Sequence, residues 1–151
     1  MKRIDALLEE YGESHQNPTN KAVHWVCVPI IVWCVMGFLY ALPAPGELGG
    51  PGWLGVVSGL ALLYYIALSR TLAVGMLIYL ALGWWIISAV EAVGGSVWKV
   101  SAVVFVLAWI GQFWGHKVEG KKPSFFKDVQ FLLIGPAWLL SFLYRRLGIP
   151  V

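Results

Sequence analysis

The chain has 151 residues and a formal net charge of +3, and 59% of its residues are apolar while only 13% are charged. Nine tryptophans and a mean hydropathy of +0.73 agree with that balance. Soluble proteins carry about 25% charged residues, which they need to cover their surface. The composition therefore excludes soluble, disordered, collagen-like and disulfide-framework proteins, and it indicates a single integral membrane domain over residues 1–151.

The N-terminal segment 4–13 is predicted to form a short amphipathic helix. Its apolar side chains follow the i, i+3, i+4, i+7 spacing of one helix face, at Ile4, Leu7, Leu8 and Tyr11. Such a helix would lie along the membrane surface or pack on the bundle. The segment has no apolar signal-peptide region, so we expect the first membrane span to direct insertion.

Asn17 and Pro18 predict a helix start, because Asn is a favoured N-cap and Pro fits the first helical position. The apolar run 22–42 that follows is long enough to cross a hydrocarbon core of about 30 Å. Pro29 within it predicts a kink. The segment 43–52, rich in Pro and Gly, is predicted to be a loop.

Further apolar runs follow along the chain, separated by Arg70 and by Gly94-Gly95. They predict spans at residues 53–69, 71–90 and 97–115. A last run, 129–144, is short for a full crossing and is interrupted by Gly135-Pro136. The predicted fold is all-α: a polytopic membrane helical bundle of four spans plus a short C-terminal re-entrant or fifth helix.

The basic residues predict a cytoplasmic N-terminus. With four spans in this orientation, Lys99 lies outside, and eight basic residues lie on the cytoplasmic side, as the positive-inside rule requires. They are Lys2, Arg3, Lys21, Arg70, Lys117, Lys121, Lys122 and Lys127. Arg145 and Arg146 also favour the cytoplasm and hence a re-entrant last segment. We expect a bacterial inner membrane, or the endoplasmic reticulum in a eukaryote.

The three histidines of the chain, His15, His24 and His116, all fall at the cytoplasmic face of this topology. Neutral imidazole is the commonest metal ligand in proteins, and three imidazoles leave coordination positions open for water, substrate or dioxygen. A histidine at a membrane boundary is also a common interfacial side chain. Spacing alone therefore leaves two interpretations open, a shared metal site and three separate interfacial residues.

Two polar residues beside the histidines are candidates for catalytic or supporting roles. Asn20 precedes His24 by one helical turn, so its amide could orient the imidazole or bind a ligand. Glu119 follows His116 by three residues. Its carboxylate could act as a ligand, as a hydrogen-bond partner or as a proton acceptor, and a solvated charge among lysines is the alternative.

The lysines after His116 are explained by topology and by anionic lipid headgroups, although one of them could pair with a substrate carboxylate. No nucleic-acid-binding motif accompanies them, so nucleic acid is not an expected partner. Phosphate-binding loops, nucleophile elbows and His-Glu-x-x-His motifs do not occur in the sequence.

Two polar motifs bracket the four-span core: residues 11–24, YGESHQNPTNKAVH, and residues 112–123, QFWGHKVEGKKP. The first contains His-x4-Asn-x3-His, and the second contains Gly-His-x2-Glu and is followed by Gly135-Pro136. Together they resemble the membrane family of fungal and bacterial 2-hydroxy fatty acid dioxygenases. The resemblance covers essentially the whole chain.

The resemblance implies an iron(II)-dependent alpha-oxidation within the membrane. A long-chain 2-hydroxy fatty acid and dioxygen would yield the fatty acid one carbon shorter and carbon dioxide. The metal ligands would be His15, His24 and His116, with Asn20 and Glu119 as candidate catalytic residues. Family members carry an extra aromatic residue between the histidine and the glutamate of the second motif, so the role of Glu119 stays open.

This chemistry is compatible with the residues, because a 2-hydroxy carboxylate chelates a metal through two oxygens while its acyl chain lies among the spans. A zinc-dependent membrane lipid hydrolase is the main alternative, since three histidines and a water also describe catalytic zinc. A non-catalytic lipid-binding membrane protein is a further one. The sequence does not decide between iron and zinc or give the oligomeric state.

Overall fold

The structure, a computed structural model, describes residues 2–122 and 130–151. Lys127 and the start of the apolar run 129–144 lie outside the described residues. Within the described residues the chain forms six α-helices, a short 3-10 helix at Gly46–Leu48 and no strand. The α-helices are α1 (Arg3–Gly12), α2 (Pro18–Ala41), α3 (Trp53–Leu68), α4 (Arg70–Ala92), α5 (Val97–Glu119) and α6 (Gln130–Arg146). The all-α prediction is confirmed for these residues.

Three of the described helices are long and apolar enough to cross a membrane. These are α2 with 24 residues, and α4 and α5 with 23 residues each. Helix α3 has 16 residues and measures about 24 Å at 1.5 Å per residue, less than the roughly 30 Å of a bilayer core. It ends before Ser69, because that side chain caps α4 by accepting from the Leu72 N–H at 3.3 Å. The count of four spans stays a prediction.

Helices α2 and α5 form a closely packed antiparallel pair. On α5, Gly111 and Gly115 are four residues apart and face α2, as in small-xxx-small helix contacts. A Cβ added at Gly115 would lie 2.6 Å from Asn20 Oδ1, and one at Gly111 would lie 2.8 Å from Cys27 Sγ. The close approach places the start of α2 directly beside the end of α5, where two of the histidines lie.

Both ends of α6 lie beside the same end of the α3–α4 hairpin. Near its start, Gln130 Nε2 donates to the Tyr64 hydroxyl at 2.6 Å. Near its end, the Tyr144 hydroxyl donates to the Thr71 carbonyl at 2.5 Å. Tyr64 and Thr71 flank the turn at Ser69, so both contacts hold α6 against the hairpin. The C-terminal re-entrant or fifth helix stays a prediction.

Helix α6 is continuous through Gly135 and Pro136, where the sequence predicts an interruption. Proline inside a helix removes one backbone hydrogen bond. Both residues are buried, and the buried face of α6 belongs to the largest apolar core cluster of the described chain. Tertiary packing of that face offsets the missing hydrogen bond.

Helix α1 packs on α6 rather than lying alone on the membrane surface. Its buried side chains are Ile4, Leu8 and Tyr11, three of the four that the periodicity selects. The Tyr11 ring lies 5.4 Å from the ring of Trp138 on α6, measured between centroids. The contact orients the segment between α1 and α2, which carries the first histidine.

Candidate metal centre

Three separate elements deliver the histidines to one place. His15 lies in the linker between α1 and α2, His24 on the second turn of α2, and His116 on the last turn of α5. His15 and His24 are fully buried and His116 is 3% exposed. Because α5 continues to Glu119, four residues beyond the predicted end of the span, His116 is held by regular helix.

The imidazole Nε2 atoms converge within contact distance of a single ion. His15 Nε2 lies 2.8 Å from His24 Nε2, and His116 Nε2 lies 3.2 Å from His24 Nε2. The ligand atoms of all three residues lie within 4.8 Å of one another. Two nitrogens bound to one ion at about 2.1 Å, as in zinc sites, lie roughly 3.0–3.4 Å apart. The spacing therefore fits a bound metal ion.

Backbone carbonyls fix the tautomers of two of the imidazoles. His15 Nδ1 lies 2.6 Å from the Tyr11 carbonyl oxygen, and His24 Nδ1 lies 2.9 Å from the Asn20 carbonyl oxygen. A carbonyl only accepts, so in each neutral ring Nδ1 carries the proton and Nε2 carries a lone pair. The two Nε2 lone pairs face each other with no proton between them. Both nitrogens are therefore in the form that binds a metal cation.

Burial keeps His15 in its metal-binding form. Loss of hydration lowers the pKa of the imidazole from 6.5 to about 4, partly opposed by its hydrogen bond to the Tyr11 carbonyl. His15 is therefore neutral at pH 7, as a metal ligand must be. Its ring stacks on the Tyr11 ring at 4.3 Å with an interplanar angle of 8°, which holds the imidazole in one orientation.

Asn20 lies beside the histidines, but its side chain does not orient His24. The Asn20 backbone carbonyl makes that contact, because it is the acceptor for His24 Nδ1. The side-chain Nδ2 donates instead to the Ser14 carbonyl and to Glu119 Oε2, both at 3.3 Å. Asn20 is fully buried, and its Oδ1 has no hydrogen-bond partner within the described residues.

The carboxylate of Glu119 ties the end of α5 to the start of α2. One oxygen accepts from the Gln16 N–H at 2.9 Å, and the other accepts from the Asn17 N–H at 2.7 Å and from Asn20 Nδ2. A negative charge at the start of a helix is favourable because of the helix dipole. Among the described residues, the group whose atoms converge for a metal consists of the histidines and does not include Glu119.

A lysine provides a second connection between α5 and the His15 linker. Lys121 Nζ donates to the Glu13 carbonyl at 2.8 Å. The sequence suggests only topology, headgroups or a substrate carboxylate for this lysine. In the structure it binds the same linker that Glu119 holds.

Gln112 is a buried polar residue near the cluster that the sequence reasoning did not select as a site residue. It is fully buried, and both its amide nitrogen and its amide oxygen have no hydrogen-bond partner within residues 2–122 and 130–151. It precedes His116 by four residues, as Asn20 precedes His24. That repeated spacing was the available sequence signal.

Residues 1–147 match the model of a family described as 2-hydroxy-palmitic acid dioxygenase Mpo1-like. The chain belongs to this family. The Mpo1-like match includes all three histidines, and it confirms the resemblance seen in the two polar motifs. Searches of curated proteins and of solved structures find no significant match.

Proposed function

We propose that the protein is an iron(II)-dependent dioxygenase that shortens 2-hydroxy fatty acids by one carbon. The observation that carries this proposal is the pair of facing Nε2 lone pairs on His15 and His24, with His116 Nε2 beside them. Three neutral imidazoles hold a divalent ion and leave positions open for other ligands. Membership of a family named for 2-hydroxy-palmitic acid dioxygenase supports this substrate class.

The proposed reaction balances with one molecule of dioxygen and no other reductant. The bond between C1 and C2 of the 2-hydroxy acid breaks, C1 leaves as carbon dioxide, and C2 becomes the new carboxyl carbon. The four electrons removed from the acid reduce one dioxygen, and water is the remaining product. Iron(II) bound at the three histidines would supply the redox chemistry with dioxygen.

The polar residues beside the histidines would position the metal ligands. Asn20 is buried with its Oδ1 against Gly115 of α5, and its Nδ2 donates to Glu119 Oε2 at 3.3 Å, so it would hold the start of α2 in place. The contacts of Glu119 favour a positioning role, because both of its oxygens already hold the start of α2. We propose that Glu119 acts through Asn20 and the His15 linker.

An apolar cavity in the bundle would receive part of the acyl chain. It has a volume of about 110 Å³ and is lined by residues of α2, α3, α4 and α6, among them Val32, Met36, Ala61, Met76 and Pro136. Pockets for whole ligands are about 300–1,000 Å³. We therefore expect the rest of a long chain to lie among the lipid tails.

The experiment that tests this function separates iron from zinc chemistry. Protein purified without chelators is loaded anaerobically with iron(II), mixed with 2-hydroxypalmitic acid and then exposed to oxygen. We expect the fifteen-carbon acid and carbon dioxide, one of each per dioxygen consumed. Stoichiometric zinc in the purified protein, with lipid hydrolysis that does not depend on oxygen, would instead favour the hydrolase.

The control for this experiment uses the ligand residues themselves. His116→Ala should lose the oxygen-dependent product, whereas Gln130→Ala, at the far side of α6, should keep it. If His15→Ala, His24→Ala and His116→Ala all leave metal content and lipid turnover unchanged, the histidines are interfacial side chains rather than a metal site and the proposal is wrong.

A further inference from the structure

The side chain of Gln112 has an unmet hydrogen-bonding requirement inside the protein. It is fully buried, and neither its Nε2 nor its Oε1 has a partner within the described residues. Buried amide groups in proteins are almost always hydrogen-bonded, because an unpaired one loses the hydrogen bonds that water would provide. Ala108, one helical turn before Gln112 on α5, belongs to an apolar core cluster with Cys27 and Ile31 of α2.

Gln112 lies one helical turn from the metal-ligand candidate His116 on α5. Residues at this spacing lie on the same helix face. Gly111 and Gly115, the residues just before them, contact α2. The amide therefore lies on the part of α5 that faces the histidines.

Gln112 and Asn20 lie on opposite sides of the histidines along the bundle axis. Each precedes a histidine by four residues, but α2 and α5 are antiparallel. Asn20 is therefore nearer the end of the helix pair where α2 begins and α5 ends, and Gln112 is nearer the middle of the bundle. The Asn20 side chain already donates to Ser14 and Glu119, whereas Gln112 has both a donor and an acceptor available.

We propose that Gln112 recognises the head of a 2-hydroxy acid, with its amide N–H donating to a carboxylate oxygen and its amide oxygen accepting from the 2-hydroxyl. A carboxamide carries a donor and an acceptor side by side. A 2-hydroxy acid carries the complementary acceptor and donor on adjacent carbons. This inference rests on the proposed function, and it adds Gln112 to metal chelation as a means of distinguishing 2-hydroxy acids from unsubstituted fatty acids.

The test measures binding rather than turnover. Protein loaded with iron(II) under anaerobic conditions, in detergent, is titrated calorimetrically with 2-hydroxypalmitic acid and with palmitic acid. A site built to hydrogen-bond a hydroxyl discriminates against an analogue that lacks it. We expect the wild-type protein to prefer the 2-hydroxy acid by roughly 10- to 100-fold. Gln112→Met, which keeps the size of the side chain, should have a smaller preference, since only chelation of the iron by the 2-hydroxyl then favours that acid.

Matched variants separate recognition from folding and from metal binding. Gln130→Met makes the same change on α6 and should keep the preference, and Gln112→Met should keep the wild-type metal content. Gln112→Asn keeps the amide but shortens the side chain, so it should reduce the preference even if Gln112→Met does not fold. An unchanged preference in either Gln112 variant would overturn the inference.

The outcome for Gln112 is distinguishable from the outcome for the proposed function. A wild-type protein that does not prefer the 2-hydroxy acid refutes the role of Gln112, whatever the product analysis shows. A wild-type protein that has the preference but forms no shortened acid retains the recognition site and refutes the dioxygenase. A smaller preference in Gln112→Met at unchanged metal content supports the inference in both cases.

Discussion

At the scale of single residues, the metal centre is prepared by the backbone rather than by other side chains. The carbonyls of Tyr11 and Asn20, each four residues before a histidine, determine which ring nitrogen carries the proton. Hydrogen bonds of this kind around metal ligands fix ring orientation and strengthen the ligand. Because carbonyls are not changed by substitution, only the histidines themselves are available for a direct test.

Replacement of the central histidine should abolish the site. His24 Nε2 lies within 3.2 Å of the Nε2 atoms of both His15 and His116. His24→Ala therefore removes the ligand that lies between the other two. We expect the affinity for cobalt(II), a spectroscopic probe for such sites, to fall by at least about 100-fold. The measurement is a titration followed by visible absorbance, with circular dichroism to verify the helical content. Wild-type affinity in His24→Ala would place the metal elsewhere.

The role of Glu119 can be separated into positioning and proton transfer. If it positions the linker and Asn20, Glu119→Ala should weaken cobalt(II) binding by roughly 10- to 100-fold and lower turnover in parallel. If it transfers a proton, turnover should fall while metal affinity stays at the wild-type value. Glu47→Ala, which removes a carboxylate from the exposed 3-10 helix, is the control and should change neither quantity.

At the scale of helices, the closeness of α2 and α5 determines whether the histidines meet. The contact depends on Gly115, where a Cβ would lie 2.6 Å from Asn20 Oδ1 and 3.2 Å from a Val23 methyl group. Gly115→Ala should therefore separate the helices, destabilise the protein by about 1–3 kcal/mol and weaken metal binding. Thermal unfolding and a cobalt(II) titration in detergent measure the two effects.

The control for this substitution is a glycine in a similar helix with free space around it. Nothing lies within 4 Å of a Cβ added at Gly59 on α3. Gly59→Ala should be neutral or stabilise the protein by about 0.5–1 kcal/mol, because alanine favours helix. Equal effects of the two substitutions on stability and metal affinity would show that the α2–α5 contact does not control the site.

The helices were predictable from sequence to a large extent, since apolar runs and turn residues mark their positions. The boundaries that differ have local causes. The sequence predicts Ser69 to be the last residue of a span, whereas its side chain caps α4. The polar residues after Gly115 are predicted to lie outside the span, whereas they extend α5 by one turn. At α6, the tertiary packing that carries the helix through Pro136 is not visible in the sequence.

The candidate site was predictable in its ligands but not in its supporting contacts. The positive-inside rule alone brings His15, His24 and His116 to one face. The carbonyl partners of the imidazoles and the attachment of Glu119 to the start of α2 depend on three-dimensional positions. The position of Gln112 four residues before His116 is visible in the sequence. Its proposed role in substrate recognition, however, depends on its burial and its unpaired amide, which only the structure gives.

At the scale of the whole molecule, the polar residues gather at one end of an apolar bundle. The described helices that are long enough to span a membrane are α2, α4 and α5, and the histidines lie at the start of α2 and the end of α5. We infer from the distribution of lysine and arginine that this end faces the cytoplasm. The 3-10 helix at Gly46–Leu48 would then face the opposite side.

Labelling of introduced cysteines tests this orientation. Glu10→Cys on α1 and Glu47→Cys in the 3-10 helix both lie at exposed positions, whereas the native Cys27 and Cys34 are buried. A membrane-impermeant maleimide should modify Glu47→Cys in intact cells, or in sealed vesicles of native orientation, and Glu10→Cys only after permeabilisation. The reverse pattern would place the metal centre on the other side.

The sequence distance between the ligands has a consequence for biosynthesis. His24 and His116 are 92 residues apart. At about 5–20 residues per second, the ribosome makes the third ligand on the order of 10 s after the second. Metal cannot be captured by all three histidines until α5 has been made and paired with α2, so metallation would report that the helices up to α5 have been inserted.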